Sequence, residues 1–471
     1  MYDAIIIGAG ISGLVCGCYL AKAGMKVLIA EQHYKPGGYC TSFKREGFTF
    51  DAAAHCFGGY RNDGMTRKVF EELEIDKRIR IIRSDPASQV IMVDNEVFFW
   101  ANLDETVNSF RTSFQDESDN IRNFFQFLIN PDPASFSRTR SWTFKDLLDK
   151  YFRNEKLKAI LAAPLLGIGG LPPTQMSAFI AAKLFSEFLI DGGYYPLGGM
   201  QILSDSIAEK FKEFGGELRL SCLVKKIKFK DNKAIGIIME KDGFVPSKYV
   251  VSNCDARQTF FILLDKTILP QNFTQKIKNM TPSLSDFVLY LGTDGNFESS
   301  LKPGINLCFF LHHDLNKAYL SAQKCDMDGF GGFLLHIAHD KSTILAYMPA
   351  SYKNKRYWNN NKQKFLESLL DRIEKYTIPN LSEHIKYKEA ATPQTLHRYT
   401  LNYKGAAFGW AGTPSQLADP ELRKPPFIQG LYLTGHWATL GVGISGVVYV
   451  GYDTAKMILR KEKNKSYFIY G

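Results

Sequence analysis

The segment Gly8-Ala9-Gly10-Ile11-Ser12-Gly13 constrains this chain more than any other. Before it, residues 3–8 form an apolar run that reads as a short buried strand closed by glycine. After it, Ile11, Leu14, Val15, Cys18 and Ala21 fall on one face of a helix predicted from Ile11 to Ala23, with Gly24 in the C-cap position. Residues 26–30 read as a second strand that ends at Glu31. The result is a β-α-β unit with short connections. Each glycine has its own reason to be there. Gly8 permits the tight turn, Gly10 lets a pyrophosphate approach the backbone, and Gly13 lets helix and strand pack closely. Phosphates are expected on the free N–H groups where Ile11 and Ser12 open the helix, and Glu31 is placed to accept from a ribose hydroxyl. The unit predicts dinucleotide binding.

Length and composition bound the rest. A chain of 471 residues predicts two or three domains, and 45% hydrophobic against 23% charged residues supplies a full core. The net charge of +10 is mild for this length, is spread along the chain, and accompanies no nucleic-acid motif, so no nucleic-acid partner is expected. Eight cysteines without a C-x-x-C pair read as reduced, mostly buried thiols of a cytoplasmic protein. The N-terminus has no basic leader, its first charge being Asp3. Residues 4–21 and 425–452 lack Asp, Glu, Lys and Arg, yet glycines break both at turn-like places, and neither reads as a spanning helix.

Further along, helices are predicted around 66–74, 105–129, 145–152, 175–189, 201–213 and 361–376. Val90–Val93 and Val97–Trp100 read as a hairpin about an Asp-Asn-Glu turn. Strands are predicted at 217–229, 234–240 and 248–253, and again within 283–348. Pro36-Gly37-Gly38-Tyr39-Cys40-Thr41-Ser42 brings a second glycine pair to the same pyrophosphate, with Thr41 or Ser42 expected to donate a hydroxyl. Near the C-terminus, Leu431–Thr434 reads as a strand ending at Gly435. A glycine-rich turn then leads to an apolar helix from about Ile444, whose N-terminus carries a partial positive charge.

These blocks resemble one family. Glu31-Gln32-His33-Tyr34-Lys35-Pro36-Gly37-Gly38, then Phe48-Thr49-Phe50-Asp51 and His55, look like the FAD-dependent flavoproteins that include phytoene desaturases, prolycopene isomerases and retinol saturases. Tyr195-Pro196-Leu197-Gly198-Gly199, Thr392-Pro393-Gln394-Thr395 with Arg398, and Gly435 through Gly441, Gly443, Ile444 and Gly446 continue the likeness in order over the whole chain. The stretch from Glu31 to Gly59 is closest to the isomerase and saturase branch.

The resemblance implies an α/β protein in which a Rossmann-like, doubly wound FAD-binding domain is interleaved with an α+β substrate domain. The expected division is 1–85, 191–262 and 391–471 for FAD, against 86–190 and 263–390 for substrate. It implies non-covalent FAD, with Gln32 beside Glu31, the Val224 backbone at the adenine, and Gly435, His436, Gly443 and Ile444 at the flavin end. His436 is expected to position the phosphate or ribityl chain. His55 falls near the isoalloxazine and is the candidate to protonate or orient an intermediate, although Ala53 or Ala54 stands where the family usually has glycine.

The implied reaction is hydride transfer between flavin N5 and a carbon of an apolar polyene or isoprenoid, as desaturation, saturation or cis-trans isomerisation. A flavin amine oxidase and a flavin-free lipid-binding chaperone are the alternatives of the same fold. His312-His313 and the His336/His339 pair have no completing acid or cysteine at ligand spacing, so no metal is expected. Trp410, Tyr194, Tyr195, Phe98 and Phe99 are candidates to line an apolar tunnel. Peripheral membrane contact is expected from two features. One is the Met176–Ile190 stripe of Phe179, Ile180, Leu184, Phe185, Phe188 and Leu189. The other is a tail with Lys456, Arg460, Lys461, Lys463 and Lys465 that ends in Tyr467-Phe468-Ile469-Tyr470.

Overall fold

The computed structural model describes residues 1–130, 137, 139–299, 301–417, 419–439 and 443–469, without the side chains of residue 266 and of residues 464–469. Strand β1 (Tyr2–Ile7), helix α1 (Ile11–Lys22) and strand β2 (Val27–Ala30) form where the sequence places them. Every residue of α1 from Ile11 to Ala21 is buried, because the helix is covered on its outer side as well. Gly451 of the C-terminal helix Gly443–Ile469 comes so close that a Cβ there would stand 2.5 Å from the Ser12 carbonyl oxygen.

β1 pairs in parallel with β2 and with the end of the Gly243–Ser252 strand, which in turn pairs in parallel with Leu431–Leu433. Glu217–Arg219 extends the parallel part beyond β2, and Val224–Lys230 and Lys233–Met239 extend the other edge as an antiparallel meander. The four strand ends at Ile7, Ala30, Ser252 and Leu433 therefore share one edge, the place where open α/β sheets bind ligands.

The second sheet has seven strands in the order 385–391, 285–293, 343–350, 332–337, 306–310, 88–92 and 95–99. All its pairings are antiparallel except that of 88–92 with 306–310. One face carries the 22-residue helix Lys355–Tyr376, whose Trp358 and Phe365 pack on Phe287. The other face looks toward the strand ends of the first sheet.

Several expectations need correction. The strand expected over 217–229 is two strands, because Ser221 N–H donates to the His33 carbonyl and Cys222 N–H to that of Glu31, which pulls the chain across the end of β2. The helix expected over 105–129 breaks at Phe114 into Leu103–Ser113 and Ser118–Ile129, and Glu117 at the break accepts from the Arg153 and Asn154 amides. The hairpin turn is Val93-Asp94, since Met92 pairs with Asn95. Glu155–Gly169 is a helix that the periodicity did not reveal: it is buried almost all round and contains Pro164, so no apolar stripe stands out. Leu263, Leu264, Phe273 and Ile277 pack with Val224, Ile237 and Leu431, so the first core keeps the chain well past residue 262.

Candidate active site

A single cavity of about 900 Å³ runs from the shared strand edge of the first sheet to the open face of the second. At the first end the wall is backbone. Gly8 turns with φ +97°, and Gly10 caps α1 with no side chain bonded to the first turn, so no side chain covers the start of the helix beside the cavity wall of Gly10, Ile11 and Ser12. Gly13 lies outside the wall. A Cβ on it would stand 2.3 Å from the Gly8 carbonyl oxygen, which is the close helix–strand approach expected of a third glycine.

Gly37 has φ +125° and donates its N–H to the Ala9 carbonyl at 2.9 Å, which docks the second glycine pair on the first. Gly37 and Gly38 both line the cavity. Thr41 and Ser42 do not. The Thr41 hydroxyl donates to the Gly38 carbonyl at 3.1 Å and that of Ser42 to Asp51 at 2.6 Å, so both hydroxyl protons are engaged inside the protein.

Glu31 lines the cavity and is fixed by the Ala9 N–H at 2.7 Å and the His33 N–H at 2.8 Å. Burial pushes its carboxyl up while these amides oppose the shift. Gln32 and Val224 also line this end, the Gln32 amide donating to the Tyr399 carbonyl at 3.2 Å. Asn253, which no sequence pattern singled out, sits at the centre of the cradle. Its Nδ2 donates to the Gly8 carbonyl at 3.3 Å, and a Cβ on Gly10, Gly13 or Gly435 would come within 3 Å of its side chain.

Gly435, His436, Gly443 and Ile444 line the cavity where the two halves meet. Gly441 lies outside the described residues. Burial holds the His436 imidazole down at about 4, so it is neutral at physiological pH and can donate or accept but cannot pair a phosphate as a cation.

The far end is apolar. A row of Val288, Tyr347, Leu334 and Cys308 runs straight across four strands of the second sheet on one face. Phe179, Ile180, Leu184, Phe188 and Leu189 close it from the opposite side, whereas Phe185 packs into the core against Phe124 and Phe144. The apolar stripe of Met176–Ile190 thus faces the cavity and the core, and the exposed residue of that segment is Lys183. Trp410, Tyr194, Tyr195, Phe98 and Phe99 do not line the cavity. Trp410 is buried and donates to the Trp437 carbonyl, and Tyr195 donates to Asp51. Phe57, Tyr347, Phe408 and Trp437 supply the aromatic wall instead. Of the tail, the side chains of Lys465 and of residues 467–469 are not described, and Tyr470 lies outside the described residues.

His55 is in the wall, with Nδ1 3.0 Å from the Ala53 carbonyl oxygen and its ring 4.9 Å from that of His336. Burial lowers both, His336 strongly, so the pair is neutral. No cluster of metal-binding groups occurs among the described residues.

Asp286 is the unexpected member of the wall. It stands on the cavity face of the Ser285–Thr293 strand and is 9% exposed, and burial alone pushes its carboxyl up to about 8. An aspartate near 8 when folded and near ~3.9 when unfolded binds more protons in the folded state. Its stability contribution is therefore complete below about pH 4 and falls as pH rises through 8. The buried acids Glu31 and Asp51 shift with the same sign, so the diagnostic is a difference between proteins. Wild type is expected to lose more thermal stability between pH 5.5 and pH 8.5 than Asp286→Asn, and equal losses in a melting series would contradict the shift.

The family model for flavin containing amine oxidoreductases matches residues 11–459. Prolycopene isomerase 1, chloroplastic, of an Oncidium hybrid cultivar is 24% identical over 96% of this chain and 82% of its own. The 1-hydroxycarotenoid 3,4-desaturase of Flavobacterium sp. is 26% identical over 97% of this chain and 99% of its own. Among solved structures, an oxidoreductase from Methanosarcina mazei superposes with a TM-score of 0.69 over 96% of this chain and 99% of that one at 16% identity, a likeness of fold.

Proposed function

The chain belongs to the flavin-containing amine oxidoreductase family, and from that premise we propose that it is an FAD enzyme whose substrate is a long apolar polyene or isoprenoid. The observation that carries this reading is the continuity of the cavity, which joins a glycine-lined cradle at the strand ends of one sheet to an apolar wall on the other. The carotenoid enzymes that match nearly the whole chain support it.

The residues present fit FAD. Gly8 and Gly10 with the uncapped start of α1 at Ile11 and Ser12, and Gly37 and Gly38 opposite them, leave a backbone-walled space for a pyrophosphate. Glu31 and Gln32, which line the same end of the cavity, are assigned to the ribose and the Val224 backbone to the adenine. Gly435, His436, Gly443 and Ile444 are assigned to the flavin end, and no covalent link is proposed. When bound, the cofactor supplies hydride exchange with a substrate carbon. The protein's part is to exclude water, align the chain along the Val288–Cys308 row and keep His55 and His436 uncharged beside it. On this reading residues 1–85, 191–280 and 391–471 serve the cofactor, and 86–190 with 281–390 serve the substrate.

The mouth suits a bilayer. Arg140 and Lys183, both exposed, flank Phe179 at the cavity wall, with the Arg140 guanidinium 6.0 Å from the Phe179 ring centre. No helix among the described residues is long and apolar enough to cross a membrane, so contact would be peripheral. One experiment addresses substrate and delivery together. Holoprotein is mixed with polyene-loaded anionic liposomes, floated, and the polyene spectrum recorded. Co-flotation and a changed spectrum are expected. Lost bands identify saturation, a red shift desaturation, and a small shift at constant mass isomerisation. Peroxide formed with amines, and no change in any polyene, would replace this reading with an amine oxidase.

A further inference from the structure

Among the described residues, two side chains on the apolar wall of the cavity keep a buried oxygen without a partner, Asp286 and Asn306; the Asn306 amide already donates to the Ala87 carbonyl and to Cys56 Sγ, whereas the Asp286 carboxyl makes no bond at all. Asp286 is nine-tenths buried, its Oδ1 is fully enclosed without a hydrogen-bond partner, and no hydrogen bond or ion pair reaches either oxygen among the described residues. Arg140 and Lys183 also line the cavity, yet neither comes near enough to act on it. Its neighbours on the strand fix where it points. Phe287 and Leu289 alternate to the opposite face, where Phe287 meets Trp358, so Asp286 and Val288 share the cavity face.

Its position along the cavity is also fixed. The chain beside it is tied to the segment 405–410: Ala407 N–H donates to the Leu284 carbonyl at 3.0 Å and Phe408 N–H to the Ser283 hydroxyl at 2.9 Å. The Tyr39 hydroxyl donates to the Ala406 carbonyl at 3.0 Å, and the Tyr39 ring lies 6.3 Å from that of His436. Asp286 therefore sits on the His436 side of the apolar compartment, across the sheet from Asn306, which bonds Cys56 beside His55.

We propose that Asp286 is a recognition site for a hydroxyl group, so that the substrate is a polyene or isoprenoid alcohol whose oxygen is held on the His436 side of the cavity. The claim rests on the polyene reading above and sharpens it. A protonated carboxyl both donates and accepts, and a hydroxyl is the small neutral group that answers both at one point. A hydrocarbon leaves the carboxyl buried and unpaired, which selects against it. An ammonium would bring three N–H donors to a wall that offers one carboxyl among Val288, Tyr347 and Leu345.

The test is equilibrium binding to the flavin-loaded protein, followed by quenching of tryptophan fluorescence. The probes are a linear polyene hydrocarbon, its terminal alcohol and an alkylammonium of equal length. Wild type is expected to bind the alcohol roughly 5- to 150-fold more tightly than the hydrocarbon, the range that an unpaired buried polar group commands. Asp286→Leu should remove that preference while still binding the hydrocarbon. Asp286→Asn, which also donates and accepts, should keep part of it. Equal binding of alcohol and hydrocarbon by wild type would overturn the proposal and leave the polyene reading intact. Tighter binding of the ammonium, lost in Asp286→Asn, would overturn it in favour of charge recognition. Failure of both polyenes to bind wild type and Asp286→Leu would overturn the polyene reading as well.

Discussion

Gly10→Val is expected to yield a folded protein without flavin. Gly10 has φ −67° and ψ 165°, an extended conformation that a β-branched residue adopts without strain, so the backbone tolerates the change. The side chain has nowhere harmless to go. Its Cβ would stand 2.9 Å from Asn253 Nδ2, and its methyls would enter the space that the opening amides of α1 line. Those amides are the proposed pyrophosphate site, and a helix N-terminus acts only over contact distance. Gly13→Val is the informative companion. Its Cβ would press on the Gly8 carbonyl oxygen at 2.3 Å, and a backbone atom cannot rotate away, so that variant is expected to lose folded protein altogether. Visible absorbance, flavin released on denaturation and circular dichroism separate the two. Full flavin content in Gly10→Val would remove the cradle assignment.

The contrast between these glycines shows what was legible in the sequence. The Gly8–Glu31 unit is contiguous, and its periodicity, turn residues and acid all report one local structure, so strand, helix and turn are readable from the sequence. Gly435 and the helix after Gly443 were legible for the same reason. The cavity wall was not. Val288, Tyr347, Leu334 and Cys308 come from four strands, and which face of each is turned inward depends on pairings far apart in sequence. Asp286 did carry a signal, as a lone acid in an otherwise buried strand, but only its missing partner makes it informative.

A hydroxyl after two glycines resembles a phosphate ligand, yet Thr41 and Ser42 donate within the protein and stand off the cavity wall. That engagement comes from the fold, which brings Asp51 to Ser42. The tunnel aromatics behave likewise. Ring content says that a residue packs, and Trp410, which is buried, and Tyr195, which is half-buried, pack against protein rather than against the cavity.

Val288→Trp is expected to abolish polyene turnover, by roughly 10²-fold or more, while flavin content and fold survive. The reacting carbons must reach the cofactor end past this row, and misplacement by a single ångström costs about that factor. Val288 is 3% exposed, yet its side chain borders the cavity rather than a packed layer, so the indole has open space to fill beside Tyr347 and Leu334. Tryptophan is also at home in a strand. The cradle at Gly8, Gly10 and Gly38 lies at the other end of the cavity and is untouched. Leu289→Trp provides the control by adding bulk one residue along, on the face packed under the Lys355–Tyr376 helix. Overpacking there costs about 1–3 kcal/mol and should appear as a lowered melting temperature. The two variants thus exchange phenotypes across one peptide bond: lost turnover at normal stability for residue 288, and lost stability for residue 289. If Val288→Trp turned over polyene within twofold of wild type, the substrate would have to take a path that does not cross the second sheet. The assignment of that sheet as the substrate wall would then fall with it.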